Sequence, residues 1–181
     1  YIGFTLSADD LPDDLKALQS ATGTGTHAPS FTGEVRVQAG VTVKAPIISV
    51  DNKVYAKLPF SGWSELDPSD YGAPDPAALI APKTGISSLF TKTQDPSADG
   101  SERQGKEVLT KIHGTLSGDA VHELFPSAAT DEFDVTYTLT DDNTMSSVTI
   151  TGPFYGDHGD ITYTIDLDLS ADPVTIKAPA L

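Results

Sequence analysis

The 181-residue sequence contains no cysteine, which excludes a disulfide framework, a thiolate nucleophile and a thiolate zinc site. No apolar run approaches the roughly 18 residues that a membrane-spanning helix needs. Basic residues are few: 11 Lys and Arg stand against 26 Asp and Glu, and the net charge is −15. Nucleic-acid binding depends on clustered cations that neutralise phosphates, so we expect no nucleic-acid partner. An anionic membrane surface would also repel this chain unless an anchor held it there.

Catalytic and metal-binding motifs are also missing. The four histidines have no H-x-x-x-H or H-E-x-x-H spacing, and no G-x-S-x-G or S-x-x-K motif occurs. Asp95–Gly100 matches the start of a calcium loop, but Lys106 stands where that loop needs a bidentate Glu. We therefore interpret Asp95–Lys106 as a solvated acidic loop and Asp157–Asp160 as a hairpin turn. The sequence predicts no enzyme activity, no bound metal and no cofactor.

Alternating apolar and polar residues dominate the rest of the chain, and this period of two indicates strands with one buried face. The alternating stretches are residues 2–6, 31–37, 41–45, 54–60, 108–116, 133–139, 145–150 and 161–169. With the closing stretch VTIKAP, we expect about eight or nine strands. A phase shift at Pro46 suggests a bulge or a sheet edge. Strands and helices do not alternate, which favours an antiparallel meander over a parallel sheet.

Helical segments are few and short. Two short helices are expected within Asp75–Lys92, divided by Pro82, because proline interrupts a helix. A third is expected within Gly118–Phe125, with Ser117 or Asp119 as its cap. The stretch PDDLKALQSATG fits either a short helix or a twisted strand. Such short helices cannot cover the apolar face of a large sheet, so the sheet either closes or leaves an apolar space, which suits an apolar ligand.

The stretch DNKVYAKLPFSGWSELDPSDYGAPDPAALIAPKTGISSLF resembles actinobacterial LppX/LprA/LprF/LprG-type lipoproteins. The features that carry the resemblance are an aromatic-bearing strand at Tyr55, the pair Trp63-Ser64, and helix starts at Asp75-Pro76 and at residues 84–86. The joint EVLTKIHGTLSGDAV and the tail ADPVTIKAP are similar to the same family, although the tail lacks the family's Trp. The resemblance runs from Tyr1 to the end of the chain.

This resemblance implies an α+β fold with a single domain over residues 1–181. A strongly bent antiparallel β-sheet, a half-barrel, would carry the short helices on its concave side and enclose a hydrophobic cavity. PDDLKALQSATG would be the second strand. The resemblance also implies a location in the cell envelope, at the outer face of the plasma membrane or in a periplasm-like space. The membrane would be reached through an N-terminal lipid anchor that is not present in this chain.

The function implied by the resemblance is to bind the acyl chains of an envelope lipid or glycolipid and to carry or present it between envelope layers. The alternative is a non-catalytic structural or signalling module of the envelope that binds another protein through its acidic surface. The two differ in whether acyl lipids co-purify with the protein. The sequence does not indicate an oligomeric state.

Inward-facing residues of the strands and helices are the candidates for the cavity lining, although such stripes more often form packed core. The candidates are Phe4, Val35, Val37, Val43, Val54, Ala56, Leu79, Ile80, Ile86, Leu89, Phe90, Ile112, Val135, Tyr137, Val148, Ile150 and Tyr163. One wall is expected to consist of Val35, Val37, Val43, Val54 and Ala56. The helical side opposite it is expected to consist of Leu79, Ile80, Leu89 and Phe90. Gly33 shares a face with Val35 and is expected to leave room for a ligand. Trp63 is expected either to contact the ligand at the rim or to plug the end of the sheet.

Overall fold

The computed structural model describes residues 1–181 and is built around one eleven-stranded sheet. The strands are β1 (Ile2–Asp9), β2 (Ala17–Thr26), β3 (Ser30–Gln38), β4 (Thr42–Val50), β5 (Lys53–Leu58), β6 (Gly62–Leu66), β7 (Gln94–Gln104), β8 (Glu107–Leu116), β9 (Phe133–Leu139), β10 (Met145–Gly152) and β11 (Ile161–Asp168). They lie in the order β6-β5-β4-β3-β2-β1-β11-β10-β9-β8-β7, and every neighbouring pair is antiparallel. The predicted antiparallel sheet is therefore confirmed.

The helices fall within the segments predicted for them. They are α1 (Pro76–Leu79), α2 (Ile86–Lys92) and α3 (Gly118–His122), and two 3₁₀ turns occupy Pro68–Tyr71 and Gly156–His158. The Asp75 carboxylate accepts a hydrogen bond from the Ala77 N–H, and Ser117 rather than Asp119 caps α3. None of these helices is long and apolar enough to cross a bilayer.

The hydrophobic core lies on one face of the sheet. The inward-facing residues of β1, β2, β9, β10 and β11 form one buried cluster with apolar side chains of α1, α2 and α3. Pairing of β1 with β11 joins the two halves of the chain, with Phe4 opposite Leu167. The opposite face is polar, and threonine hydroxyls meet across β10 and β11 at Thr149–Thr164 and Thr151–Thr162. The helices thus cover a single face, as the sequence predicts.

Three expectations about strands were wrong. Strand β6 was not expected. Strand β7 occupies most of the stretch interpreted as an acidic loop, and all of its residues are exposed. As an edge strand it obtains backbone hydrogen bonds from β8 while both side-chain faces stay in water, so no alternation marks it. The closing stretch VTIKAP forms no strand, because residues 171–181 have no regular structure.

Two open points about strands are settled by the pairing. The stretch PDDLKALQSATG contributes to β2 and is not helical. Pro46 lies inside β4 without a register shift, so it marks no bulge. Strand β5 pairs only with Ile47–Val50, so Thr42–Pro46 has β3 as its single neighbour and forms a local edge. A proline is tolerated in such a place because its missing N–H breaks no ladder on the open side.

Candidate functional site

An apolar pocket of about 280 Å³ lies between strands β3 to β6 and the segment 66–76 that leads from β6 to α1. Its lining consists of Leu18, Val35, Val37, Ala39, Val43, Ala45, Ile47, Val54, Ala56, Leu58, Leu66, Pro68, Tyr71, Ala73, Pro74 and Pro76. Every one of these residues is aliphatic, aromatic or proline, and none is charged. The pocket can therefore hold an apolar group, and the Tyr71 hydroxyl is the one polar side-chain group in its lining.

The pocket has an open end and a closed end. Val43, Leu58 and Tyr71 line it and are each a little over a third exposed, so they form its mouth. Leu18 and Ile47 line the deeper part and are almost fully buried. An elongated apolar group can thus enter at the mouth and lose contact with water along its length.

The cover of the pocket is a short proline-rich segment held by local contacts. The Asp67 carboxylate accepts hydrogen bonds from the N–H and the hydroxyl of Ser69, at 2.9 and 2.7 Å, and these bonds lower the pKa of Asp67. Lys16 donates to the Asp70 carbonyl at 3.0 Å, and its ammonium lies 4.4 Å from the centre of the Tyr71 ring. The cover is therefore tied to the chain just before β2.

A pair of tyrosine hydroxyls ties the cover to the sheet. The register of β2 shifts between Leu18 and Ser20, and this bulge frees the Leu18 backbone groups for side-chain partners. The Tyr163 hydroxyl donates to the Leu18 carbonyl at 2.7 Å and lies 2.8 Å from the Tyr155 hydroxyl. The Tyr155 hydroxyl also contacts the Gly72 carbonyl in the cover at 3.0 Å. Burial raises the pKa of both tyrosines, so both stay neutral near neutral pH.

Replacing Tyr155 with phenylalanine is expected to lower the free energy of unfolding by about 1–3 kcal/mol, because Tyr163 and Leu18 lose a buried partner. Ser127 still donates to the Gly72 carbonyl at 3.2 Å, so the cover keeps one tether. Urea denaturation measures the change. Tyr71→Phe is the control, since no hydrogen bond of its hydroxyl is present. Equal stability of both variants with the parent would contradict the tethering role.

A polar depression of about 650 Å³ adjoins the inner end of the pocket and shares Val54, Leu66, Pro68 and Ala73 with it. Its charged groups already have partners within the chain. Lys53 contacts Glu65 at 2.9 Å, and this hydrogen bond raises the pKa of Lys53. Its two aspartates cap the 3₁₀ turn at Pro68 and helix α1. Elsewhere, no group of three or more His, Asp or Glu side chains is arranged to hold a metal ion.

The predicted lining residues occupy three different environments. The expected sheet wall, Val35, Val37, Val43, Val54 and Ala56, lies around the apolar pocket. The helical residues Leu79, Ile80 and Ile86 instead border a second apolar pocket of about 160 Å³. Away from both lie the fully buried Phe4, Leu89, Val135, Tyr137, Val148, Ile150 and Tyr163, the partly exposed Phe90 and the half-buried Ile112. Whether any of them binds a ligand stays a prediction.

The sequence interpretation missed part of the lining and misjudged one glycine. Ala45 and Leu58 continue the alternation of the predicted wall and could have been found, whereas the proline-rich cover has no periodicity. Gly33 leaves no room for a ligand, because the Phe31 ring fills that space: a Cβ at Gly33 would lie 2.8 Å from Phe31 Cζ. Trp63 lies half-buried in β6 and is not part of the lining.

Comparison with known proteins places this architecture among envelope lipoproteins. The model of the LppX_LprAFG lipoprotein family matches residues 2–176, almost the whole chain. The chain belongs to this family. Membership implies an envelope location with membrane anchoring, and the family is one of lipoprotein carriers rather than enzymes. The prediction of a lipoprotein that is not an enzyme is therefore confirmed.

Curated relatives are distant and longer than this chain. The lipoarabinomannan carrier protein LprG of Mycobacterium tuberculosis is 28% identical over 102 residues, which cover 56% of this chain and 43% of the relative. LprG of Mycolicibacterium smegmatis is 27% identical over 123 residues, covering 63% and 50%. The chain therefore spans about half the length of the curated relatives it matches.

Solved structures of the same family share the fold. The crystal structure of LprF from Mycobacterium bovis superposes with a TM-score of 0.75 at 17% identity, covering 99% of this chain and 89% of the other. LppX from Mycobacterium tuberculosis gives 0.67 at 19% identity, covering 97% and 88%. A large antiparallel sheet with few short helices is thus the common fold.

Proposed function

We propose that residues 1–181 form one lipid-binding domain whose apolar pocket takes an acyl chain of an envelope lipid or glycolipid and carries or presents it between envelope layers. The main support for this proposal is the pocket between strands β3–β6 and the proline-rich cover. No charged residue lines this pocket. In this proposal the sheet bends around the pocket as a half-barrel. The domain acts at the outer face of the plasma membrane or in a periplasm-like space.

The ligand class follows from the lining. Burying each methylene group contributes about 0.8 kcal/mol, so one long acyl chain gives enough driving force without a charged anchor. Ligand pockets usually measure about 300–1,000 Å³, and the 280 Å³ of this one suits one chain better than two. The similarity to LprG, a lipoarabinomannan carrier protein, supports a glycolipid as the ligand. The head group would lie outside the mouth, where it contributes little to affinity and permits release.

Organic extraction of the purified protein followed by mass spectrometry tests the proposal. We expect acyl lipids in the extract of the parent protein. Val35→Trp should place an indole ring in the pocket, and the variant should stay folded by circular dichroism while its lipid load falls severalfold. Thr22→Trp is the matched control, because Thr22 is exposed in the neighbouring strand β2, and it should keep the parent's load.

Three outcomes would count against this reading. A Val35→Trp variant with the parent's lipid load would show that Val35 does not line the binding site. An unfolded variant would show that Val35 belongs to a packed core. A parent protein that carries no lipid would leave the envelope module that binds a protein partner as the better account.

A further inference from the structure

Two hairpin tips stand side by side at the mouth of the pocket. One is the connection between β3 and β4, at residues 39–41, and the other is the connection between β5 and β6, at residues 59–61. Strand β4 is antiparallel to both β3 and β5, so both connections lie at the same end of the sheet. Ala39, Val43 and Leu58 of these hairpins line the pocket. The tips and the mouth are thus one continuous surface.

Both tips present apolar side chains to solvent. Val41 is 69% exposed, and the Phe60 side chain is fully exposed at the end of its hairpin. Single exposed apolar residues are ordinary on proteins, but these two continue the partly exposed apolar residues of the mouth, Val43 and Leu58. The result is an apolar rim, defined by Val41, Val43, Leu58 and Phe60, around an apolar opening.

The backbone at Phe60 is strained in a way that sequence preference does not explain. Its φ is +68°, a conformation that glycine and asparagine adopt readily and that a bulky side chain rarely adopts. Strained residues persist where the surroundings or the function require them. Since Phe60 packs against nothing in the chain, the strain does not serve the core. It places an aromatic ring at the outermost point of the mouth.

The charge around the tips differs from that of the whole chain. Residues 35–46 and 56–64 contain Arg36, Lys44 and Lys57 and no acid, although the net charge of the chain is −15. Lys44 is paired with Glu34 at 2.9 Å. The connection between β1 and β2 lies at the same end and carries four aspartates in residues 9–14. Together with Glu34 these are five carboxylates against three cations, so charge does not attract this end to a lipid surface, and apolar insertion must supply the attraction.

We propose that these two hairpin tips dock the protein on a lipid bilayer, with Phe60 and Val41 inserted among the acyl chains and the pocket mouth facing the membrane. Aromatic residues and lysine are typical of the membrane interface, and Trp63 and Lys57 sit opposite each other just behind the tip. An acyl chain leaving the bilayer would then enter the pocket without crossing water. This inference extends the proposed function by assigning the surface at which lipid is exchanged.

Vesicles of phosphatidylcholine alone provide the test, because a surface without net charge does not repel the acidic chain. Trp63 is the only tryptophan of the chain, so a blue shift of its emission, together with co-sedimentation, reports docking at the tips. We expect the parent to bind. The affinity of the double variant Val41→Ser/Phe60→Asn for the vesicles should be lower by a factor of about ten or more, because two inserted apolar groups are lost. The control Tyr1→Ser/Leu181→Ser removes two other exposed apolar side chains and should bind within about twofold of the parent.

Asparagine at position 60 also separates function from folding. Because asparagine accepts a positive φ, the double variant should melt at the parent's temperature or above while it loses vesicle binding. The docking proposal would be overturned if the parent protein did not bind vesicles, or if the double variant bound them as well as the parent. Vesicle binding through the tips without co-purifying lipid would keep docking and reject the carrier function. Co-purifying lipid together with vesicle binding that does not depend on the tips would keep the carrier function and reject docking through the tips.

Discussion

Replacing Phe154 with alanine is expected to lower the free energy of unfolding by about 3–5 kcal/mol, the range for a large side chain removed from a closed core. Phe154 is completely buried, and its ring centre lies 5.0 Å from Phe125, 5.0 Å from Phe133 and 4.8 Å from Tyr163. Truncation removes these edge-to-face contacts and opens a cavity among rigid rings. Urea denaturation monitored by circular dichroism gives the change.

Phe60→Ala is the matched control for this experiment. The same side chain is removed there from a fully exposed position, so the free energy of unfolding should change by no more than about 0.5 kcal/mol. A loss below about 1 kcal/mol for Phe154→Ala would mean that the aromatic cluster is not a major part of the core. The cluster matters for the candidate site because it packs against Tyr163, whose hydroxyl holds Leu18 beside the pocket.

The core position of Phe154 could not be predicted from the sequence pattern. The sequence predicts a hairpin turn at Asp157–Asp160, and Phe154 and Tyr155 just before it belong to no alternating stretch. The structure uses the first for the core and the second to tether the pocket cover. Nothing in a period-two pattern distinguishes such a loop from a solvated one, because irregular backbone imposes no spacing on its buried side chains.

The strands that could be predicted are those with one buried face. In β11, Ile161, Tyr163 and Ile165 are buried while the residues between them are at least partly exposed, and this contrast appears directly in the sequence. Strand β7 has no buried residue, and β6 has none either, so neither produces a contrast. Both lie at the sheet edges, where strands are defined by backbone pairing with one neighbour rather than by burial.

The candidate site was predictable on one side only. Val35, Val43 and Ala56 share a face by simple alternation, and that face borders the pocket. For the opposite side, the resemblance to the lipoprotein family predicts the helices, with Leu79, Ile80, Leu89 and Phe90. In the structure the helices bury Leu79, Leu89 and their neighbours in the closed core, and the pocket is covered by the proline-rich segment 66–76. Proline and glycine suppress periodicity, so this segment gave no signal.

A pair of glycines beside the pocket wall gives the second large effect. Gly23 and Gly33 face each other across β2 and β3, and the Phe31 ring lies over both. A Cβ at Gly33 would lie 2.7 Å from Gly23 Cα and 2.8 Å from Phe31 Cζ, and it would also collide with the Thr22 carbonyl. Because two of these contacts are backbone, Gly33→Ala can be accommodated only if the strands separate. We expect the free energy of unfolding to fall by about 1–3 kcal/mol, which is the usual loss when a substitution overpacks a site.

The sign of this change is the decisive observation. Alanine in an unhindered strand stabilises relative to glycine by about 0.5–1 kcal/mol, since it restricts the unfolded chain. A Gly33→Ala variant that is more stable than the parent would therefore show that the space is open, as a ligand would need. Thr32→Ala on the other face is the control and should cost less than about 1 kcal/mol. Adding Phe31→Leu to Gly33→Ala should recover only part of the loss, because the Thr22 carbonyl and the Gly23 backbone stay in place.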